Sequence, residues 1–236
     1  MKGLLYLFPN LLCKDHPVQE AFVPAIVEAV LQLDGLIAES PQGGRSFLYK
    51  FKTKKKPNDI PIATLNEHTK KGGVDFLLEP VLAGECWGVV SDSGMPCIAD
   101  PGAELVAHAH NCSITIKAFP GPSSIMMALV LSGMQGQRFS FWGYLSRDPK
   151  KRKEELIAVE KRSRTDRATQ LFIEAPYRNV ACFQAILDTL RGTTRLCVAT
   201  NIASPSQYLA VHTIAQWQAM PAPHIHKIPT TFLVEA

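Results

Sequence analysis

The chain has 236 residues, of which 46% are hydrophobic and 19% are charged. This length allows one or two domains, and a chain of this size buries most of its apolar surface without disulfides or metals. The composition excludes a disordered or fibrous protein. The formal net charge of +4, from 25 Lys and Arg against 21 Asp and Glu, is compatible with a polyanionic partner but does not specify one.

The cysteines and the apolar runs limit the cellular context. None of the six cysteines belongs to a Cys-x-x-Cys pair. Their wide spacing favours free thiols in a reducing compartment, so a cytoplasmic protein is expected. No apolar run reaches the ~18 residues of a transmembrane helix, and no membrane association is expected. The run at 4–8 is shorter than the ~7–15 residues of a signal-peptide core, and it predicts a buried first strand.

Apolar runs alternate along the whole chain with longer amphipathic stretches. In the first half, the pattern predicts strands at 3–8, 36–39, 60–64, 87–91 and 114–118, and helices at 20–33, 67–82 and 103–109. In the second half, it predicts helices at 123–131, 149–161 and 178–190, and strands at 139–143, 170–175, 195–200, 207–211 and 227–234. The helix at 123–131 is apolar on every side, which predicts that it is buried.

This alternation defines the expected fold class. Strands that alternate with helices are typical of β-α-β units, so we predict an α/β fold with mostly parallel sheets. The alternation occurs in two sets with a seam near 119–122. We therefore expect two α/β domains, at 1–118 and 119–236, joined without a long linker.

The segment at 91–102, S-D-S-G-M-P-C-I-A-D-P-G, follows directly after an apolar strand. Ligands of open α/β sheets bind outside the carboxyl ends of the strands, and glycine there lets the backbone approach a ligand closely. The carboxylates of Asp92 and Asp100 could accept hydrogen bonds from a ligand amine or hydroxyl. The simpler alternative is an Asx turn in which Asp100 caps the next helix. We favour this alternative for Asp100 and a functional role for the segment as a whole.

Two further segments place polar residues at the end of a predicted strand. At 119–124, F-P-G-P-S-S, either serine could cap the next helix or present its amides to a polar ligand. At 172–178, F-I-E-A-P-Y-R, a carboxylate and a guanidinium occur within five residues. Arg178 could bind phosphate, and Glu174 could pair with Arg178 or with a ligand. The alternative is an inert ion pair on the surface.

Basic residues are concentrated at 50–56 and 147–167. Such runs are most often solvated faces, but two of them on one small protein favour contact with a phosphate backbone. The sequence lacks the G-x-x-x-x-G-K-[ST] phosphate loop, a G-x-G-x-x-G after the first strand and the G-x-S-x-G elbow. His224 and His226 lack the further ligands of a metal centre, so no metal is expected.

These segments, in this order, resemble the tetrapyrrole methylase-like superfamily of S-adenosylmethionine-dependent methyltransferases. Within it they are most similar to the bacterial 16S ribosomal RNA ribose 2′-O-methyltransferase family. Residues 91–102 resemble its S-D-A-G-x-P-x-I-S-D-P-G, and residues 172–178 resemble F-Y-E-S-P-H-R, with Tyr177 in place of histidine. Shorter similarities are P-G-P-S-S at 120–124 for P-G-P-S-A, G-Y-L-S-R at 143–147 for G-F-L-P-R, and the pair Glu67-His68.

The chain departs from this family at three segments. The family's P-T-P-I-G-N-L after the first strand is shortened to P-N-L-L at 9–12. E-D-T-R becomes E-S-P-Q at 39–42, although Arg45 fits a later arginine, and V-A-T-N at 198–201 replaces A-R-E-L-T. The expected methyl-donor loops are better preserved than the expected substrate loops. The resemblance therefore indicates the cofactor more strongly than the RNA substrate.

The resemblance implies a homodimer and an S-adenosylmethionine cofactor folded in a cleft between the two domains. A sulfonium is a small cation that carbonyl and carboxylate oxygens stabilise, whereas adenine favours an apolar slot. The residues expected to line the cofactor site are Phe8, Pro9, Asp92, Gly94, Met95, Pro96, Ile98, Pro120, Ser123, Ser124, Phe172 and Ala199.

Methyl transfer is an in-line displacement at carbon, and much of its acceleration can come from alignment of the two reactants. A ribose hydroxyl is a weak nucleophile that must lose a proton, so a general base or a polarising cation helps. The candidates are Glu174 as the base and Arg178 as the partner of a phosphate or oxyanion. Glu39 and Arg45 are expected to support them.

Three functions are compatible with the sequence. An RNA ribose methyltransferase, which we favour, would use the two basic clusters and bind RNA in a salt-dependent way. A methyltransferase for a tetrapyrrole-like small molecule would have a deep apolar cleft and bind its substrate independently of salt. A non-catalytic protein that keeps the cofactor site would explain the altered residues Ser40, Gln42 and Thr200.

Overall fold

A computed structural model of the chain describes residues 3–15, 18, 22–66, 69 and 74–236. The chain divides into two compact units, Met1–Ser123 and Ser124–Ala236. The domain boundary expected from the sequence, after residue 118, falls at the end of the last strand of the first unit. Each unit has its own sheet and hydrophobic core, and each is described by itself.

The first unit contains a five-stranded sheet in which every described pairing is parallel. Its strands are β1 (Leu4–Phe8), β2 (Gly35–Ala38), β3 (Ile62–Thr64), β4 (Cys86–Val90) and β5 (Thr115–Ala118). They lie in the order β3-β2-β4-β1-β5. The carboxyl ends of these parallel strands lie at one edge of the sheet, and the loops singled out in the sequence begin there.

The described helices of the first unit are α1 (Pro24–Leu31), α2 (Pro41–Leu48), α3 (Asp75–Leu82) and α4 (Ala103–Asn111). Helix α2 is absent from the sequence prediction, because Gly43 and Gly44 have low helix propensity. Ser40 nevertheless caps this helix by accepting a hydrogen bond from the Gly43 N–H at 2.9 Å. The first residues of the helices predicted at 20–33 and 67–82, with the pair Glu67-His68, lie outside the described residues.

Both faces of the first sheet are buried, as is usual for parallel sheets. On one face, the Phe8 ring stacks on Phe119 at a centroid distance of 5.3 Å and packs against Phe47 at 5.6 Å. On the other face, Leu5 and Ile37 are fully buried among residues of α3 and α4. Burial of side chains of this size contributes roughly 1.5–3 kcal/mol each, which fixes the strand ends that carry the loops.

The second unit has a mixed sheet, ordered β6-β7-β10-β8-β9. Its strands are β6 (Phe139–Tyr144), β7 (Thr169–Ile173), β8 (Arg195–Thr200), β9 (Tyr208–Thr213) and β10 (Thr230–Glu235). Only β6 and β7 pair in parallel, and the other three pairings are antiparallel. The prediction of mostly parallel sheets therefore holds for the first unit, while the second sheet departs from it. The link at 201–207 is too short for the crossover of roughly a dozen residues that parallel strands require.

The described helices of the second unit are α5 (Ser124–Ser132), α6 (Pro149–Asp166), α7 (Asn179–Thr189) and α8 (Ile214–Gln218). Helix α5 packs on β8, β9 and β10 through a buried face that includes Ile125 and Leu129. Its other face is exposed, and Val130 reaches 77% exposure. The prediction that this helix is buried on every side is therefore wrong, because the sheet covers only one of its faces.

None of the six cysteines, all of which lie in the described part of the chain, forms a disulfide. Within the described part of the chain, no helix is long and apolar enough to cross a membrane. The same residues contain no group of three or more His, Cys, Asp or Glu side chains that could hold a metal ion.

Candidate functional site

Hydrogen bonds join the loops that follow β1 and β4 at the carboxyl edge of the first sheet. Asn10 and Gly94 form a β-bridge with N–H to carbonyl distances of 2.7 and 3.2 Å. The Nδ2 of Asn10 also donates to the carbonyl oxygens of Ser91 at 2.9 Å and Asp92 at 3.2 Å. Asn10 is buried, so these bonds are protected from water. One asparagine therefore fixes the backbone of the segment predicted to bind a ligand.

The loop after β2 holds the side chain of Asp92. The Ser40 hydroxyl donates to Asp92 Oδ1 at 3.0 Å, and Glu39 Oε2 accepts from the Asp92 N–H at 3.2 Å. Ser40 also caps α2, so the carboxylate lies near the N-terminus of that helix, where negative charge is stabilised. A Cβ on Gly43 would come within 1.8 Å of Asp92 Oδ1. Only glycine at this position leaves room for the carboxylate.

Three carboxylates influence one another in this region. Burial, with smaller contributions from the negative charges of Glu39 and Asp92, raises the pKa of Asp100 to about 6, although a hydrogen bond from Ser91 opposes this rise. The expectation that Asp100 caps the following helix is wrong. The cap position of α4 falls on Gly102, with no hydrogen bond from a capping side chain. Carboxyl groups with strongly raised pKa values are frequent at functional sites.

The backbone of the segment at 91–102 is strained. Gly94, Cys97 and Ala99 have φ angles of 71°, 68° and 63°. The left-handed conformation costs a non-glycine residue on the order of 1–3 kcal/mol, and such residues concentrate at ligand sites. A Cβ on Gly94 would lie 3.3 Å from the side chain of Leu12. The loops after β1 and β4 therefore approach each other closely.

A cavity of about 680 Å³ lies at this edge within the first unit. Its volume is in the range of about 300–1,000 Å³ that is typical of sites for small molecules. Of the residues expected to line the cofactor site, only Asp92 lines this cavity. The lining residues are Asn10, Leu11, Leu12, Cys13, Lys14, Ser40, Gln42, Gly43, Ser46, Tyr49, Lys50, Asp92 and Ser93.

The other expected cofactor residues of the first unit differ in exposure. The Phe8 side chain is fully buried and belongs to the core, so only its backbone can face a ligand. Ile98 is 43% exposed. Pro9, Gly94 and Pro96 are buried, Met95 and Ser123 are half-buried, and Pro120 is exposed.

Glu174 and Arg178 form an ion pair in the second unit. The Glu174 side chain is fully buried and that of Arg178 is only 16% exposed, so the pair does not lie on the surface. Glu174 Oε1 accepts from Arg178 Nη2 and, at 2.7 Å, from the Ala175 N–H. Among the described residues, Glu174 Oε2 and Arg178 Nη1 have no hydrogen-bond partner. The alternative of an inert ion pair on the surface is therefore wrong.

A thiol and a second arginine belong to the same buried cluster. Burial and the negative charge of Glu174 together raise the pKa of Cys182 to about 12, although the positive charges of Arg152 and Arg178 oppose this rise. Arg152 is 8% exposed, although it belongs to the basic run expected to be solvated or to contact phosphate. Arg152 shares the inner face of α6 with Leu156 and Val159.

The remaining candidates from the sequence have structural partners. Arg45 Nη1 donates to the carbonyl oxygens of Pro57 and, at 2.9 Å, Ile60, so it ties α2 to the turn before β3. Phe172 is fully buried and stacks on Phe232 at 5.6 Å, and Ala199 is 1% exposed. Ser124, at the start of α5, is half-buried. Two of the four catalytic candidates, Glu174 and Arg178, thus form a pair in the second unit. The other two lie in the first unit, where Glu39 contacts Asp92 and Arg45 contacts other residues.

The two basic clusters are mostly exposed. In the first unit, Lys52, Lys54, Lys55 and Lys56 are exposed, while Lys50 is half-buried. In the second unit, the basic residues of the 147–167 run are exposed apart from Arg152. Some of these charges are paired, as in the contact of Arg162 Nε with Asp166 Oδ2 at 3.0 Å.

Sequence reasoning missed Asn10, Ser40 and Gly43. Ser40 carried a signal, since a serine before proline is typical of a helix start. Asn10 followed a proline at the end of a strand, but its partners lie about eighty positions away in the sequence. Only the pairing of β1 with β4 brings them together.

Comparison with known proteins places the chain in a family. The family model described as Tetrapyrrole (Corrin/Porphyrin) Methylases matches residues 15–218. The chain is 27% identical to the ribosomal RNA small subunit methyltransferase I of Bacillus subtilis, over 91% of this chain and 68% of the relative. It is 30% identical to the protein of the same name from Thermotoga maritima, over 77% of each chain. The match spans only 46% to 57% of three further relatives with this name.

A solved structure agrees with this placement at the level of the fold. The crystal structure of diphthine synthase aligns with a TM-score of 0.67 and 14% identity, over 99% of this chain and 89% of that one. This likeness confirms the fold predicted from the sequence. The chain belongs to the tetrapyrrole (corrin/porphyrin) methylase family, in the group whose curated members are called ribosomal RNA small subunit methyltransferase I.

Proposed function

We propose that this protein transfers the methyl group of S-adenosylmethionine to a ribose 2′-hydroxyl of small-subunit ribosomal RNA. The proposal combines the small-subunit ribosomal RNA methyltransferase named in the relatives with the ribose acceptor and the methyl donor that the sequence resemblance implies. The structural observation that supports it most is the position of Asp92. This exposed carboxylate is held by Ser40 and Glu39 at the carboxyl edge of a parallel sheet, where ligands of such sheets bind.

The residues at this edge suit the proposed cofactor. When bound, S-adenosylmethionine supplies an electrophilic methyl group on a positively charged sulfur. The carboxylates of Glu39, Asp92 and Asp100 supply negative charge for such a cation. Gly94, in its left-handed conformation, presents backbone without a side chain. The loops after β1, β4 and β5 would therefore hold the cofactor, and contacts from Ser124, Phe172 and Ala199 stay predictions.

The proton of the ribose hydroxyl needs an acceptor. We assign this role to Asp92 instead of Glu174, because Asp92 is exposed and lines the cavity. Glu174 is fully buried and engaged with Arg178. As the hydroxyl oxygen bonds to the methyl carbon, the bond between that carbon and the sulfur would break and release S-adenosylhomocysteine, while the hydroxyl proton would pass to Asp92 Oδ and then to solvent. Glu39 positions the Asp92 backbone, and Glu174 positions Arg178.

RNA is the proposed partner of the two basic clusters. The exposed lysines at 52–56 and the exposed basic residues of α6 offer positive charge that phosphates can neutralise. Such contacts release counterions, so the affinity for RNA should fall steeply with salt. A ribosomal RNA substrate would place the protein in the cytoplasm.

The altered residue at position 40 does not favour the non-catalytic alternative. Ser40 caps α2 and donates to Asp92, so the position is engaged in holding the proposed proton acceptor. Thr200 is buried in β8, where its hydroxyl donates to the Tyr208 carbonyl at 3.5 Å. Gln42 lines the cavity. Each of these altered residues thus either forms a hydrogen bond or lines the cavity in this chain.

Self-association is proposed for the exposed face of α5. Met126, Val130 and Leu131 are each more than 40% exposed on this apolar helix. A second copy of the chain would cover them, as in the homodimer expected from the resemblance. Sedimentation should show a dimer that Val130→Lys converts to a monomer, and a wild-type protein that sediments as a monomer would contradict this part of the proposal.

The function is tested by calorimetry with S-adenosylmethionine, followed by transfer of a labelled methyl group to small-subunit RNA. We expect binding of the cofactor and label on a ribose, which nuclease digestion recovers as a dinucleotide resistant to cleavage at the methylated position. Large-subunit RNA serves as the control acceptor. Absence of cofactor binding at millimolar concentration, or transfer to neither RNA, would contradict the proposal.

A further inference from the structure

The cavity of about 680 Å³ in the first unit is bordered by three loops. Its lining residues follow β1, β2 and β4, whereas the cofactor residues proposed above follow β1, β4 and β5. The two sets meet at Asp92, in the segment fixed by the bridge between Asn10 and Gly94. The cavity therefore adjoins the loops proposed to hold the cofactor and has Asp92 in common with them.

The lining of this cavity carries both signs of charge. Lys14 and Lys50 contribute ammonium groups, and Asp92 contributes a carboxylate. Lys50 is half-buried, with its Nζ donating to the Ser46 carbonyl at 3.3 Å, and burial lowers its pKa. An anion bound beside it would favour its charged form. Lysines are common binders of phosphate, so this lining suits a phosphorylated ligand.

An aromatic ring completes the lining. Tyr49 is 59% exposed, and its hydroxyl donates to Asn58 Oδ1 at 3.0 Å. This bond holds the phenol in one orientation while leaving the ring accessible. Proteins that bind single-stranded RNA stack bases on such rings, which contributes roughly 1–3 kcal/mol per base.

We propose that this cavity is the subsite for the acceptor nucleotide of the RNA. Lys14 and Lys50 would hold its phosphate, Tyr49 would stack on its base, and Asp92 would face its ribose hydroxyl. The inference rests on the proposed function and adds the residues that recognise the acceptor. The position of Asp92 in both sets of residues supports it, because the reacting atoms of the two substrates must come within roughly 3–3.5 Å of each other.

Cys13 provides a direct probe of occupancy. This half-buried thiol lines the cavity, whereas Cys112, also half-buried, follows α4 and does not line it. The experiment measures the rate of alkylation of each thiol by iodoacetamide, with mass spectrometry of the peptides. It uses the full chain without cofactor and with each of the four ribonucleoside 5′-monophosphates. At least one nucleotide should slow alkylation of Cys13 several-fold and leave Cys112 unchanged.

Charge variants connect the protection to the proposed contacts. Lys50→Gln and Lys14→Gln should each raise the nucleotide concentration that gives half-protection by roughly tenfold, because each removes one charged phosphate contact. The matched control is Lys117→Gln, which removes the same charge from an exposed lysine of the first unit that does not line the cavity. The control should protect like the wild type, and thermal melting confirms that each variant is folded.

The outcomes separate this inference from the proposed function. Protection of Cys13 that depends on Lys50 supports the subsite. If no nucleotide protects Cys13 while the wild type still methylates RNA, the subsite is wrong and the proposed function stands. If nucleotides protect Cys13 and Cys112 equally, or if the lysine variants protect like the control, the subsite is also wrong. Absence of methyl transfer together with protection would overturn the proposed function and leave a nucleotide-binding cavity.

Discussion

The two units of this protein differ in the surroundings of their acidic residues. In the first unit, Glu39, Asp92 and Asp100 lie close enough for their charges to raise the pKa of Asp100. In the second unit, Glu174 is buried against Arg178, and Glu160 Oε1 accepts from the Thr194 hydroxyl at 2.5 Å. Like charges gathered at an accessible edge are suited to binding and proton transfer, whereas buried opposite charges constrain the structure.

The largest expected effect comes from a change in the acidic cluster of the first unit. Asp92→Asn keeps the size and the contact with Ser40 but removes the proposed proton acceptor. Turnover should fall by about 10²–10⁴-fold, the usual contribution of general base catalysis. The affinity for S-adenosylmethionine should change little, because the carboxylates of Glu39 and Asp100 remain beside the proposed cofactor site. Calorimetry measures this affinity, and single-turnover kinetics measures the transfer. If the affinity for the cofactor falls while turnover at saturation is kept, Asp92 is a cofactor ligand, as the resemblance to the family implies.

Disruption of the buried ion pair between Glu174 and Arg178 should lower the free energy of unfolding. Arg178→Ala leaves the carboxylate of Glu174 buried without its partner, which typically costs about 3–5 kcal/mol of the free energy of unfolding. Urea unfolding measures the loss. Arg162→Ala is the matched control, because it removes an arginine from an exposed i,i+4 pair with Asp166 and should cost at most ~0.5 kcal/mol. Equal losses of the free energy of unfolding in the two variants would refute the inference that the buried pair constrains the structure.

Glu174→Gln examines the same pair from its other side. In the double variant Glu174→Gln with Arg178→Ala, the neutral glutamine removes the buried charge that Arg178→Ala alone leaves unpaired. Most of the free energy of unfolding that is lost in Arg178→Ala should therefore return. With Arg178 intact, Glu174→Gln should reduce turnover far less than Asp92→Asn does. Complete loss of transfer in a folded Glu174→Gln protein with normal cofactor affinity would make Glu174 the base instead.

A smaller effect is expected from Gly43→Ala. The added Cβ would overlap the Asp92 carboxylate and displace it from Ser40. Misplacement of a reacting group by about 1 Å can lower turnover by up to about 10²-fold, and we expect at least tenfold. Gly136→Ala is the control, since a Cβ there has no atom within 4 Å. Steady-state kinetics of the two variants should differ accordingly, and equal rates would mean that Asp92 need not stay in place.

The smallest effect concerns pH. The pKa of Asp100 is raised from 3.8 to about 6 in the folded chain, so its contribution to stability is complete below about pH 4 and is lost as the pH rises through 6. Asp100→Asn has no such loss. With allowance for partial exposure, it should exceed the wild type in stability by about 1 kcal/mol near pH 8 and match it near pH 4. Urea midpoints at both pH values measure this, and a constant difference would show that Asp100 does not titrate in this range.

Much of the fold could be predicted because its signals are local. Apolar runs and turn residues predicted β1, β4, β5 and the segment at 91–102, since each lies within a short stretch of sequence. The antiparallel pairings of β10 could not be predicted, because periodicity does not report the direction of a neighbouring strand. The exposed face of α5 escaped prediction for a similar reason, since an apolar helix does not reveal which of its faces is covered.

The site was predictable in its segments but not in its contacts. The motif at 91–102 identified Asp92, yet the role of Ser40 depends on a hydrogen bond between residues that are far apart in the chain. Lys50 belonged to a lysine run that is usually a solvated face, and only the folded loops place it in a cavity. Arg152 was predictable, because its spacing to Leu156, Val159 and Ser163 puts it on the buried stripe of α6.

The contact between Ser40 and Asp92 makes the identities of two distant positions interdependent. With the aspartate of the E-D-T-R pattern at position 40, two carboxylates would face each other across the gap that a hydroxyl now spans. Their repulsion would have to be relieved by a shared proton, a nearby guanidinium or a shifted backbone. Restoring that aspartate in this chain without a compensating donor should therefore disturb the site more than it repairs it.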